Sequence, residues 1–253
     1  MNERSLAAFR RRVDGAVRVT GHRGVRREGG PAENTIAAFD EAADARADAI
    51  ELDVRLAKDG EPVVLHDETL ARVTSGLDPR AATDLSAREL GRVDLGGGAT
   101  VPTLAHALEH ARGRRLAVNV ELKRDVPDRA QVVRNVARLL ATWDARHAVL
   151  VSSFDPAMLA LFAAQAPAVP RALLVHRTWY RDLAARGVAP ALAHAAHVER
   201  VITTPALVRA LRRSGLVVQV WTVNHGVEAK DLDALGVDGL ITDAPGELRA
   251  ALA

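Results

Sequence analysis

One domain spanning residues 1–253, an α/β fold of the (β/α)8 TIM barrel kind, is what three features of the sequence predict. Short β-branched runs alternate with alanine- and leucine-rich stretches of helical period. Each strand-like run is almost continuously apolar, as parallel strands buried on both faces are. Polar residues close many of these runs: His22, Asp53, His66, Glu121, Ser152, His176, Asn224 and Asp243. Sites gathered from the C-terminal ends of several strands are the habit of a barrel. The rival, an open doubly wound sheet, lacks its glycine-rich dinucleotide fingerprint, because the first run ends in GHRG.

In chain order the apolar runs fall near 17–20, 49–54, 62–65, 116–122, 148–152, 171–175, 198–202, 217–223 and 238–242. The helical stretches between them are 34–47, 102–112, 128–143, 155–166, 205–214, 226–235 and 245–252. Asn34 reads as the cap of the first of these, with Glu33 just before it. Nine strand candidates compete for eight staves. Twelve residues separate Asp53 from His66, too few for a helix. Either that link is an extended crossover or one run is not a stave. Residues 67–103 are polar, glycine-containing and weakly periodic. They read as an insertion over the C-terminal strand-end face, either a lid or substrate-side wall, or an ordinary surface excursion.

Composition narrows the function. Hydrophobic residues make up 48%, enough for a sizeable core, and a net charge of +2 argues against a nucleic-acid binder. The absence of cysteine excludes disulfides and thiolate chemistry. No run approaches the ~18 apolar residues of a membrane span, residues 1–16 do not form a secretory signal, and a cytoplasmic protein without a stable membrane anchor is the expectation. Arginine crowds out lysine, leaving Lys58, Lys123 and Lys230.

The chemistry concentrates at the strand ends. Glu51 and Asp53 in AIELDV lie two apart and share a strand face. Two carboxylates aimed into a barrel mouth repel each other unless a cation lies between them. The alternative, solvated ion pairs, fits poorly with their apolar flanks. Glu121 in VELK repeats the pattern on another strand, with Lys123 on the same face. Carboxylate oxygens without cysteine favour Mg²⁺ or Ca²⁺ over zinc. A lysine beside a metal suits an anionic substrate.

His22 and His66 each close an apolar run beside a charged neighbour, and two imidazoles can share two proton transfers. Most lone histidines are not catalysts, and His106, His110, His147, His194 and His197 read as helical or connecting residues. His176 and His225 follow strand-like runs and are weaker candidates. Arg23 can fork onto phosphate oxygens, or pair with Glu33 to fix its loop. Trp221 closes another run and serves either packing or a substrate wall.

These residues, in this order, resemble the glycerophosphodiester phosphodiesterase family. The matches run from GHRG at 21–24 through ENT, ELDV, KDG-x-PVVLHD-x-TL-x-RVT-x-G, VPTL, ELK, SSFD and WTVN to GVDGLITDAP at 236–245. The resemblance implies a (β/α)8 barrel with a metal at the strand ends. It implies His22 and His66 as the catalytic pair and Glu51, Asp53 and Glu121 as ligands of a divalent metal, Mg²⁺ or Ca²⁺. Arg23 and Lys123 would bind phosphate, and Trp221 would stand near the substrate. The implied reaction is hydrolysis of a small-molecule glycerophosphodiester to sn-glycerol 3-phosphate and an alcohol. One departure is visible: the family commonly reads Pro-Glu-Asn-Thr, and here Ala32 separates Pro31 from Glu33, in a loop made basic by Arg26 and Arg27. A lysophospholipase D or another phospholipase-like enzyme on the same barrel is the nearest rival. A non-catalytic binding protein would have lost a histidine or a ligand. A serine hydrolase would need G-x-S-x-G.

Overall fold

The computed structural model describes residues 3–143, 147–177 and 191–253. Its strands are β1 (Arg18–Gly21), β2 (Ala49–Leu56), β3 (Pro62–Val64), β4 (Ala117–Leu122), β5 (Val149–Ser153), β6 (Arg171–Val175), β7 (Ala195–Glu199), β8 (Val217–Trp221) and β9 (Gly239–Thr242). All except β3 run parallel, and β1 pairs with both β2 and β9, which closes an eight-stave barrel. The helices are α1 (Glu3–Ala7), α2 (Ile36–Asp44), α3 (Ala87–Leu90), α4 (Leu104–Gly113), α5 (Arg129–Ala141), α6 (Pro156–Gln165), α7 (Pro205–Arg213), α8 (Gly226–Ala234) and α9 (Pro245–Leu252). Side chains of Thr35, Thr103, Asp128, Asp155 and Thr204 cap α2, α4, α5, α6 and α7 by accepting from orphan backbone N–H groups.

The surplus strand is β3. It pairs antiparallel with β2, Val54 opposite Val64 and Leu56 opposite Pro62, so the short link is a hairpin and not a crossover. The hairpin has a consequence for the site. Leu65 donates its N–H to the Asp53 carbonyl at 3.0 Å, which sets His66 down beside the end of β2.

Two expectations are corrected. The run read as 198–202 is a strand at Ala195–Glu199, followed by a 3-10 turn at Arg200–Ile202. Two alanines open that strand, and their weak β preference conceals it. His197, read as a connecting residue, therefore lies within a stave and is fully buried. The α2 cap is Thr35, not Asn34: Asn34 takes a left-handed φ of +60° and turns its amide elsewhere.

Period-two alternation stacks the barrel interior in layers. At the N-terminal end Ala49, Ala117, Leu150, Ala172, Ala195 and Val217 form one apolar cluster, sealed by Leu6 and Phe9. Two residues further along the same staves come Glu51, Asn119, Ser152, Leu174, His197 and Gln219. Two more give Asp53, Glu121, Phe154, His176, Glu199 and Trp221. The outer faces of the staves pack against the helices in two larger apolar clusters. Residues 67–103 carry a satellite core: Leu70, Ala82, Leu85, Leu90 and Val101 pack with Ala57, Val63 and Leu65.

Candidate active site

The GHRG turn after β1 depends on its glycines. A Cβ on Gly21 would sit 2.2 Å from the Gly24 carbonyl oxygen, and one on Gly24, whose φ is +82°, would lie 2.7 Å from the Ala38 oxygen. Between them Arg23 holds a left-handed φ of +54°, a strained conformation for a residue that carries a Cβ. The strain aims its N–H at Glu51 Oε2, 3.0 Å away.

Glu51, Asp53 and Glu121, from β2 and β4, each present an oxygen within 4.8 Å of the others, and all three are buried. The shared strand face expected from the sequence is thus realised. Lys123 bridges the cluster, with Nζ 3.3 Å from Asp53 Oδ1 and 3.1 Å from Glu121 Oε1. Arg23 Nε lies 3.1 Å from Asp53 Oδ2. Asn34 donates to the same Oδ2 at 2.9 Å, which is where its amide goes instead of capping α2.

Burial, and then the charges of Asp53 and Glu121, push the Glu51 carboxyl well above the usual range. Glu121 is pushed up to about 7, by burial first, against the pull of Lys123. Asp53 is held low, because Lys123, Arg23 and His66 outweigh its own burial. Three buried carboxylates thus face two cations, Arg23 and Lys123, and the imbalance leaves two of the acids short of positive charge. A hard divalent cation fits such a donor set.

Both histidines are oriented by a carboxylate. His22 Nδ1 lies 2.7 Å from Asp243 Oδ1, and its Nε2 is 4.0 Å from Glu51 Oε2. His66 Nδ1 lies 2.6 Å from Asp67 Oδ1. With Nδ1 engaged, Nε2 is the atom each ring offers to a substrate. Burial lowers the His66 pKa, and Lys123 and Arg23 lower it further, against the raising influence of Asp53. Asp243 is itself fixed by Asn224, which donates Nδ2–H to Oδ2 at 2.7 Å and accepts the Asp243 N–H at 2.9 Å.

His22, Arg23, Glu51, His66, Asn119, Glu121, Lys123, Phe154 and Trp221 line one cavity of about 280 Å³. Trp221 meets Phe154 edge to face at 5.6 Å and stacks on His176 at 6.2 Å. His176 therefore backs the aromatic wall without lining the cavity, and His225 is exposed beside α8. Beneath, His197 is held neutral, its pKa pulled down by burial to about 3. The sequence reading missed the orienting roles of Asp67, Asp243, Asn34 and Asn224. The HD pair, the ENT turn and the closing WTVN and ITD segments were their only local signals.

Ala32 does not displace Glu33. The Ala32 carbonyl accepts from Thr35 Oγ1 at 2.6 Å, and Glu33 Oε1 still takes Arg23 Nη1 at 2.7 Å. The extra arginines are both used internally, Arg26 on Glu33 and Arg27 on Glu41.

Residues 22–247 match the sequence profile of the glycerophosphoryl diester phosphodiesterase family. The chain belongs to that family. A glycerophosphodiester phosphodiesterase from Bacillus altitudinis is 33% identical over 90% of this chain and 95% of its own length. A solved structure from Silicibacter pomeroyi DSS-3 superimposes with a TM-score of 0.88 at 29% identity, covering 98% of this chain and 97% of that one. A phosphodiesterase from Oleispira antarctica, solved in complex with its product sn-glycerol-3-phosphate, is similar at a TM-score of 0.81 and 26% identity, over 93% of this chain and 96% of that one. Among the described residues no helix is long and apolar enough to cross a membrane.

Proposed function

We propose that this chain hydrolyses glycerophosphodiesters to sn-glycerol 3-phosphate and an alcohol, with a divalent metal and with His22 and His66 sharing the proton transfers. One observation carries the reading. Two imidazole–carboxylate pairs open onto a single cavity that also exposes Glu51, Glu121, Lys123 and Arg23. Membership of the family and the product bound by the Oleispira antarctica relative support the substrate class.

Glu51, Asp53 and Glu121 would hold the metal, Mg²⁺ or Ca²⁺, as oxygen ligands. When bound, the cation supplies Lewis-acid stabilisation of charge at the phosphoryl group. It would also turn the excess negative charge of the cluster into a net positive one that suits a phosphodiester anion. Arg23 and Lys123 offset the charge that builds on the phosphoryl oxygens. Nε2 of one histidine takes the proton of the attacking hydroxyl, and Nε2 of the other protonates the departing alkoxide oxygen. The nucleophile we favour is the glycerol 2-hydroxyl. Its attack forms a P–O bond and breaks the bond to the alcohol, and water then opens the cyclic phosphate with the histidines in exchanged roles. Asp243 and Asp67 hold the rings so that Nε2 faces inward. Trp221 and Phe154 form an aromatic wall of the cavity. Residues 1–253 act in this reading as one catalytic domain, in which the 67–103 segment lines none of the cavity and contributes Asp67, which orients His66.

The test is a substrate panel run after chelation and again with each metal added back. It comprises glycerophosphocholine, glycerophosphoethanolamine, glycerophosphoglycerol, glycerophosphoinositol and a lysophospholipid. Turnover of a glycerophosphodiester that returns with Mg²⁺ or Ca²⁺ is expected. Preference for the lysophospholipid would move the assignment to lysophospholipase D, and no turnover with any metal would leave a binding protein.

A further inference from the structure

One carboxylate outside the machinery just described is linked to its parts through arginines. Glu33 is almost wholly buried, and three guanidinium groups converge on it. Arg23 Nη1 donates to Oε1 at 2.7 Å, and Arg26 Nε lies 2.8 Å from Oε2. Arg72 forks onto both oxygens, at 2.7 and 3.1 Å. Three cations on one anion leave an excess of positive charge that other carboxylates must balance.

The balancing carboxylates are those of the site. Arg23 continues to Asp53, the acid held deepest in the cluster, at 3.1 Å. Arg26 Nη1 reaches Asp243 Oδ1, the oxygen that holds His22, at 3.6 Å. Arg72 Nε pairs with Asp67, whose other oxygen holds His66. A continuous path of charge therefore runs from His22 through Asp243, Arg26, Glu33, Arg72 and Asp67 to His66, with Arg23 as a branch to the carboxylate cluster. The path joins three separate pieces of chain: the loop between β1 and α2, the segment after β3, and the end of β9. The neighbouring Arg27–Glu41 pair has no such reach and is a plain surface ion pair.

We propose that Glu33 is a positioning residue that fixes the two imidazole–carboxylate pairs and the phosphate-facing arginine relative to one another, and that Arg26 and Arg72 are its arms. The inference rests on the proposed function, since it assigns a role in that reaction. The physical argument is geometric. Ion pairs with multiple hydrogen bonds hold planar groups in register, and small misplacements of catalytic groups are costly.

The experiment compares Glu33→Gln, Arg26→Met, Arg72→Met and Arg72→Lys with wild type on glycerophosphocholine, or on whichever panel diester is turned over fastest. Asp67→Asn, Asp243→Asn and the double variants complete it. Glu33→Gln should lower kcat by about 10- to 100-fold with KM changed by less than about threefold. Arg72→Met should lower kcat less than that, and Arg72→Lys should restore part of the loss. On an Asp67→Asn background Arg72→Met should cost less than about a further twofold, because its route to His66 is already cut. Arg26→Met should behave likewise on Asp243→Asn. If Glu33→Gln does not fold, the arginine variants decide, because both arms are partly exposed and leave no buried cation behind.

Folded variants with lowered Tm and wild-type kcat would reduce Glu33 to a loop staple and overturn the proposal. A loss carried by KM would make the arginines substrate contacts, which also overturns it. So would effects of Arg72→Met and Asp67→Asn that multiply. A wild type inactive on the whole panel would sink the proposed function itself, whereas an active wild type with indifferent variants sinks only the hub.

Discussion

The two ends of the barrel carry the same device put to different ends. At the N-terminal end Asp48 is gripped by Arg12, Arg18 and Arg249, and it also accepts the Val19 N–H at 2.8 Å. At the C-terminal end Glu33 is gripped by Arg23, Arg26 and Arg72. Both carboxylates are nearly buried, and the pKa of each is held low by its partners against its own burial. The difference lies in what the arginines touch with their remaining donors. Those on Asp48 lead to backbone carbonyls, Arg18 to Arg10 and Arg249 to Arg46, which ties the N-terminal segment and α9 to the staves. Those on Glu33 lead to Asp53, Asp243 and Asp67. A buried ion cluster is therefore structural or functional according to its second contacts, not its own chemistry.

The largest expected effect separates the ends by activity. His22→Ala and His66→Ala should each lower kcat by roughly 10²–10⁴ with the metal still bound. Their Tm should stay near wild type. Asp48→Asn should do the reverse. It leaves three arginines around a neutral amide, so a stability loss of about 2–4 kcal/mol, roughly 5–15 °C in Tm, is expected with kcat of the folded enzyme unchanged. Near-normal turnover in either alanine variant would remove that histidine from the reaction, and a large fall in kcat for Asp48→Asn would dissolve the contrast.

Acid titration sharpens the comparison at both ends. A carboxyl whose folded pKa is depressed contributes stability that is present above its unfolded value and lost as pH falls through the folded one. For Glu33 that window runs from about 4.5 down to about 2. The contribution is at most on the order of 3 kcal/mol. The Tm gap between wild type and Glu33→Gln should thus be widest near neutrality and close across that window. The gap for Asp48→Asn should also close on acidification. A gap that opens as pH falls would mean that the carboxylate was not stabilised by its arginines.

The smallest effect concerns Lys123, which sits between Asp53 and Glu121. Lys123→Met keeps the stem and removes the charge. Metal affinity should hold or rise, since a like charge has gone, while affinity for glycerol 3-phosphate at saturating metal should fall by about 10-fold. Calorimetric titration with Mg²⁺ or Ca²⁺ and then with glycerol 3-phosphate reads both. Loss of metal affinity with unchanged anion affinity would make Lys123 a strut for Glu121 and nothing more.

Local pattern was sufficient for the barrel. Continuous apolar runs, helical stretches between them, and polar residues at strand ends are properties of neighbouring residues, and local pattern reports them directly. The same holds for the shared face of Glu51 and Asp53, since alternation along one strand fixes it. Where the local signal was weak the reading slipped: alanine opens β7 and hides His197, and Thr35 displaced Asn34 as a cap.

Contacts between distant segments were beyond it. Asp243 lies 221 residues from His22, and Arg72 lies 39 from Glu33. The ENT and ITD segments flag Glu33 and Asp243 without naming their partners, because a carboxylate or an arginine at a turn looks the same whether it ends in solvent or on a histidine. Likewise the surplus ninth strand could be told from a stave only by its direction, which hydrogen-bond pairing across the hairpin decides. The sequence by itself determined which residues could do the chemistry. Closure of the barrel decided which of them hold one another in place, since only closure brings the first stave against the last.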